Sequence, residues 1–134
     1  MEIESFDDLL RAARLQAEPQ RLLFVFAGAE LPAGASAAQR AQFAAGEGGE
    51  LAPLMCVDKA ADDLASFAAL CAEAARAGPP WAIVFTAALA GRGAKPPSAS
   101  EVDAALQRMV EDVKAGRIHA MLPFNRAGEP VQLG

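Results

Sequence analysis

Two rhythms of apolar and polar positions alternate along this chain. Phe6, Leu9, Leu10, Ala13 and Ala17 recur at helical spacing behind Ser5, with Asp8 in the capping position three residues on. Pro19 stops that helix. Leu22 to Ala27 is then apolar without a break and rich in Phe and Val, which predicts a strand covered on both faces. Gly28 to Ala35 reads as a loop, and Ser36 with Gln39 opens a short helix ending near Gly46. Gly48 and Gly49 turn into a second strand, Leu51 to Val57, where Pro53 marks an edge position or a bulge.

The same alternation continues. Asp58 to Asp63 leads into a third helix striped by Leu64, Phe67, Ala68 and Cys71 and ending at Gly78; Pro79 and Pro80 precede a third strand, Trp81 to Ala87. Gly91-Arg92-Gly93-Ala94-Lys95-Pro96-Pro97 is a loop. Ser98 with Glu101, or Ser100 with Asp103, caps a fourth helix lined by Val102, Leu106, Met109 and Val113, and Gly116 ends it. A fourth strand is expected over Ile118 to Phe124, then a turn at Asn125 to Gly128 and a short edge strand over Pro130 to Leu133. The pattern predicts one compact α/β domain over residues 1–134, with four main strands in a parallel or mixed sheet and four helices. Each strand-to-strand connection is long enough for a crossover helix, so parallel neighbours are allowed.

The order helix, strand, helix, strand occurs twice, which predicts tandem halves over 1–60 and 61–127. Ser5-Phe6, Leu9, Ala13, Pro19 and Phe24 recur as Ser66-Phe67, Leu70, Ala74, Pro80 and Phe85, 61 positions later. Gly49, Leu51, Leu54-Met55 and Val57-Asp58-Lys59-Ala60 recur as Gly116, Ile118, Met121-Leu122 and Phe124-Asn125-Arg126-Ala127, 67 positions later.

Composition narrows the function classes. Hydrophobic residues make up 53% of 134, much of it Ala, enough for a sizeable core of closely packed helices. Twelve Lys and Arg are scattered in a chain of net charge -5, so there is no basic cluster to displace counterions from a nucleic acid. The two most apolar stretches, Leu22 to Ala29 and Trp81 to Ala90, are about half the ~20 residues of a membrane span. The acidic start Met-Glu-Ile-Glu lacks the features of a signal peptide, and a cytoplasmic location with reduced thiols is expected.

Few residues offer chemistry. His119 is the sole histidine, expected within the fourth strand, and any imidazole acid/base scheme must use it. Cys56, at the end of the second strand beside Asp58 and Lys59, is the candidate nucleophile; inert packing of a small buried thiol is its plain explanation. Cys71 falls on an apolar helix stripe. One His and two distant Cys supply no metal-ligand spacing, so no metal is expected. The carboxylate pairs Asp7-Asp8 and Asp62-Asp63 are explained by first turns of helices, where negative charge meets the helix dipole. The loop Gly91, Arg92, Gly93, Lys95 follows a strand and precedes a capped helix, the context in which a small anionic ligand binds. It lacks the Gly-Lys-Ser/Thr ending of a P-loop and the third glycine of a dinucleotide fingerprint, so no cofactor is implied.

Arg21 to Pro32, Pro53 to Lys59 and Gln107 to Val110 resemble a family of small proteobacterial proteins often labelled "ribonucleotide reductase subunit alpha", over nearly the whole chain. A reductase large subunit is a barrel several times this length with a radical cysteine and a redox pair. Neither Cys56 nor Cys71 sits in such a pattern, so the resemblance implies no reaction here. The expectation is a non-catalytic small-molecule- or protein-binding module, its candidate partners a second copy of the chain or a small anion. The alternative is a small enzyme using Cys56 with Asp58, Lys59 or His119.

Overall fold

The computed structural model describes residues 3–30, 34–44 and 50–132. In chain order the elements are α1 (Phe6–Arg14), β1 (Gln20–Glu30), α2 (Ala37–Ala44), β2 (Glu50–Ala60), α3 (Phe67–Ala77), β3 (Ile83–Ala90), α4 (Ala99–Ala115) and β4 (Leu122–Phe124). The predicted turn at Gly48 and Gly49 lies outside the described residues. The capping chemistry operates as its residues dictate. Ser5 Oγ accepts from Asp8 N, Ser66 Oγ from Ala69 N, and Ser98 forms a capping box with Glu101. Gly116 closes α4 in the left-handed conformation, at φ 76°.

The strands form one sheet in the order β2-β1-β3-β4, and every neighbouring pair is antiparallel. This corrects the expected parallel or mixed sheet. A crossover does exist, but α3 joins β2 to β3, two strands that run the same way on either side of β1 and never pair with each other. The length of a connection permits a parallel neighbour without requiring one.

As the central strand, β1 is buried on both faces. Leu22, Phe24 and Phe26 meet α1 and α3, while Leu23, Val25 and Ala27 meet α4, giving helices on both faces of the sheet. Phe24 and Phe85 therefore face opposite sides, and the expected correspondence between them fails. Phe6 anchors the α1/α3 side, its ring centroid 4.9 Å from Phe67, 5.4 Å from Phe124 and 5.8 Å from Phe24. Asp7 Oδ1 reaches across from α1 to accept from Phe67 N at 3.0 Å, capping a helix 60 residues away. Asp62 and Asp63 lie in the turn before Ser66 and not in the first turn of a helix, which begins only at Phe67. The described side chains of α2 are exposed.

The fourth strand is shorter than expected, three residues and not seven, because Met121 N bonds Ile118 O and makes the segment before it a turn. His119 is consequently in an exposed turn and not within a strand. Of the expected C-terminal edge strand, whose last residue Leu133 lies outside the described residues, there is a bridge between Pro130 and Phe124, with Val131 N donating to Pro123 O. No helix among the described residues is long and apolar enough to cross a membrane.

One core residue breaks the apolar rule. Thr86 is 1% exposed and its hydroxyl has no hydrogen-bond partner among the described residues. A buried unpartnered hydroxyl costs about 1–3 kcal/mol, whereas an apolar group of the same shape does not. Thr86→Val should therefore leave stability unchanged or raise it by up to about 2 kcal/mol in urea unfolding. A clear loss would show that the hydroxyl is bonded.

Candidate functional site

The loop from β3 to α4 is an ordered turn. Arg92 N donates to Lys95 O at 2.9 Å and Lys95 N returns a bond to Arg92 O at 3.0 Å. Gly93, at φ 58°, supplies the left-handed residue that so tight a reversal needs. Gly91 N donates to Pro19 O at 2.8 Å and ties the turn to the start of β1. The Arg92 side chain is 90% exposed and lies 3.7 Å from Glu101, while Lys95 has no ion pair among the described residues.

A cavity of about 210 Å³ lies beside this turn, between Arg92, Lys95, Ser98 and Glu101. The Glu101 carboxylate already stands at the N-terminus of α4, accepting from Ser98 N at 3.2 Å. That backbone bond, helped by the Ser98 hydroxyl and by Arg92, holds Glu101 below the usual carboxylate range. On the other side of Pro96 and Pro97 a second cavity, about 310 Å³, is bounded by Arg21, Asp58, Val102 and Asp103. Asp58 is thus brought to the α4 face near the loop, in a salt bridge with Arg21 at 2.6 Å.

The other sequence candidates scatter. The strand alternates, so Lys59 points to the opposite face from Asp58 and pairs with Glu73 of α3 at 2.8 Å. Cys56 lies in the middle of β2 and not at its end, and it is exposed where a buried thiol was expected. His119 is exposed beyond the C-terminus of α4. Cys71 is half-buried against the α1/α3 core, and burial pushes its thiol up despite the pull of Arg126. No group of three His, Cys, Asp or Glu side chains placed to hold a metal occurs among the described residues.

Two further features come from the tertiary structure. The first is the sheet's outer edges. Ala61 N donates to Gln20 O, and in an antiparallel ladder bonding direction alternates, so Cys56, Asp58 and Ala60 turn their backbone N–H and C=O groups away from β1. The β4 edge is partly closed by Pro130 and Val131, but β2 presents eleven residues as an edge that no described segment pairs. Beside it an apolar groove of about 240 Å³ runs between β2 and α3, walled by Met55, Val57, Leu70 and Ala77.

The second feature is the Arg126 guanidinium, whose Cζ stands 5.6 Å from the centre of the Trp81 ring. In the sequence Arg126 is only the counterpart of Lys59 and Trp81 only a strand residue; 45 positions separate them, so no local pattern joins them. Comparisons with protein-family models, curated proteins and solved structures find no match for this chain.

Proposed function

We propose that this protein is a non-catalytic cytoplasmic binding module that works as a homodimer, joined through the outer edge of β2. The long edge that no described segment pairs carries this reading. Such an edge is a template for another strand, and proteins that stay monomeric usually blunt it with charge, proline or a covering segment. In β2 the stretch from Leu51 to Val57 carries no charge, and among the described residues only Pro53 and the bulge beside it guard that edge. A twofold axis would pair β2 with its copy and extend the sheet, and the apolar groove against α3 would bury side chains that a hydrogen-bonded edge alone leaves wet.

The geometry favours this over an anion at Gly91, Arg92, Gly93 and Lys95, because Glu101 already occupies the helix end with a carboxylate. It also favours binding over catalysis by Cys56, because Lys59 and Asp58 face opposite sides and His119 lies beyond α4. Tandem duplication fits the same picture. The order β2-β1-β3-β4 is unchanged when the halves are exchanged, and Val57 and Phe124 pair with Phe24 and Val84 on the α1/α3 face. This makes Val84, not Phe85, the counterpart of Phe24.

Sedimentation at high micromolar concentration should give twice the 13.9 kDa chain mass. Cys56→Lys puts a charge into the uncharged stretch of the edge and should weaken the dimer by about tenfold or more, with the circular dichroism spectrum retained. A wild-type protein that is strictly monomeric at that concentration would remove the reading.

A further inference from the structure

A cavity of about 270 Å³ opens where the C-terminal end of α3 meets the turn after β4, with Cys71, Pro79, Pro80, Trp81 and Arg126 around it. Its parts are held from several directions. Trp81 is 5% exposed and wedged edge-on against Phe26 at 5.0 Å and Phe67 at 6.4 Å, so its indole is fixed by the core. Arg126 sits on a turn that is itself locked. Asn125 Oδ1 accepts from Ala127 N at 2.9 Å and Glu129 N at 3.0 Å, and Asn125 N donates to Glu129 O at 3.0 Å. The nearest acidic side chain on that turn, Glu129, accepts from Asn125 Nδ2.

Resting over the indole, the guanidinium has neither a salt bridge nor a side-chain hydrogen bond among the described residues. An arginine stacked on an aromatic ring keeps its planar fork of N–H donors directed past the ring edge. Its counterpart by sequence alignment, Lys59, is neutralised by Glu73, so the two halves differ in having one paired and one unpaired cation. The rest of the cavity is uncharged: two prolines, the Trp81 indole, Ala75, Gly78 and the half-buried Cys71 thiol, which burial pushes up.

We propose that this cavity binds a small monocarboxylate, its carboxylate in the fork of Arg126 and its apolar body against Trp81, Pro79 and Pro80. One guanidinium matches one carboxylate in charge and in bidentate geometry. A phosphate or a dicarboxylate would bring a second charge for which the cavity has no partner, and the apolar walls reward a hydrocarbon body that inorganic anions lack.

Trp81 is the chain's one tryptophan and there is no tyrosine, so fluorescence excited in the indole band reports this cavity alone. Cyclohexanecarboxylate, which does not absorb there, should change Trp81 emission saturably at constant ionic strength. Cyclohexanecarboxamide and inorganic phosphate should each bind about tenfold more weakly or worse, the scale of one lost charge-assisted contact. Arg126→Ala should abolish the carboxylate response. Arg126→Lys should weaken it about tenfold because the charge stays and the fork is lost. Both variants change an exposed turn residue, and unaltered circular dichroism will show that the fold is kept. The proposal is overturned if carboxylate gives no saturable response, if phosphate or the amide binds as well as carboxylate, or if the response survives in Arg126→Ala. It does not rest on the β2 dimer, and either can fail without the other.

Discussion

Phe6→Ala should lower unfolding free energy by about 3–5 kcal/mol, a large fraction of the 5–15 kcal/mol that holds a typical domain together. Phe6 is fully buried and its ring touches one aromatic from each of three other elements, Phe24 of β1, Phe67 of α3 and Phe124 of β4. Its amide also donates to Gly128 O at 2.8 Å, fastening the start of α1 to the turn after β4. Truncation removes the ring's transfer free energy and leaves a cavity that rigid aromatic neighbours cannot close. Phe6→Leu, which keeps most of the volume, should cost less than half as much. Urea denaturation read by circular dichroism gives both numbers. A cost near 1 kcal/mol for the alanine variant would mean that the surrounding rings collapse into the space and do not form a fixed cluster.

That cluster shows which parts of the fold are legible from local pattern. Ser5 and Ser98 each precede an apolar stripe, and each caps a helix, because capping involves residues within one turn of each other; Ser66 caps α3 two residues beyond Leu64, where the third stripe was expected to begin. The run from Leu22 to Ala27 is buried on both faces as its lack of alternation implies. Strand direction is a different kind of fact. It depends on which end of the sheet each connection returns to, and the same apolar strand serves in a parallel or an antiparallel ladder. The shortness of β4 has a local signal. Ile118 and Met121 both pack toward α4 at a spacing of three, which suits a turn and not the period of two of a strand.

The candidate chemistry divides in the same way. Asp58 and Lys59 are adjacent in the chain, and the alternation of a strand alone sends them to opposite faces. Cys56 looked like a residue to be buried because a small thiol packs well at a strand end. It is exposed because β2 is an edge, and edge position is set by strand order, which no local window contains. The stacking of Arg126 on Trp81 likewise needs β3 and β4 to be neighbours before it can be seen. In the loop after β3 the glycines carry a signal of turn geometry: Gly93 supplies a positive φ, and Gly91 supplies room.

The room at Gly91 leads to the second large effect. A Cβ built there would lie 1.9 Å from Lys95 O, 2.9 Å from Lys95 C and 3.0 Å from Pro96 Cα, all backbone atoms that no rotamer change can move aside. The turn is closed on the far side by the two bonds between Arg92 and Lys95 and on the near side by Gly91 N to Pro19 O. Gly91→Ala must therefore open at least one of these closures. Crowding of this kind costs about 1–3 kcal/mol, and a lost backbone bond adds about 1 kcal/mol more. Gly93→Ala meets no atom within 4 Å and suffers only from its φ of 58°, a strain of about 1–2 kcal/mol. Gly91→Ala should accordingly be the more damaging of the two, by urea midpoint and by faster amide exchange at Arg92 and Lys95. Its effect should also reach α4, since Pro96 and Pro97 carry the displaced turn directly into the Ser98 cap. If the two variants prove equally stable, or Gly93→Ala the worse, the backbone does not approach Gly91 as closely as the structure has it.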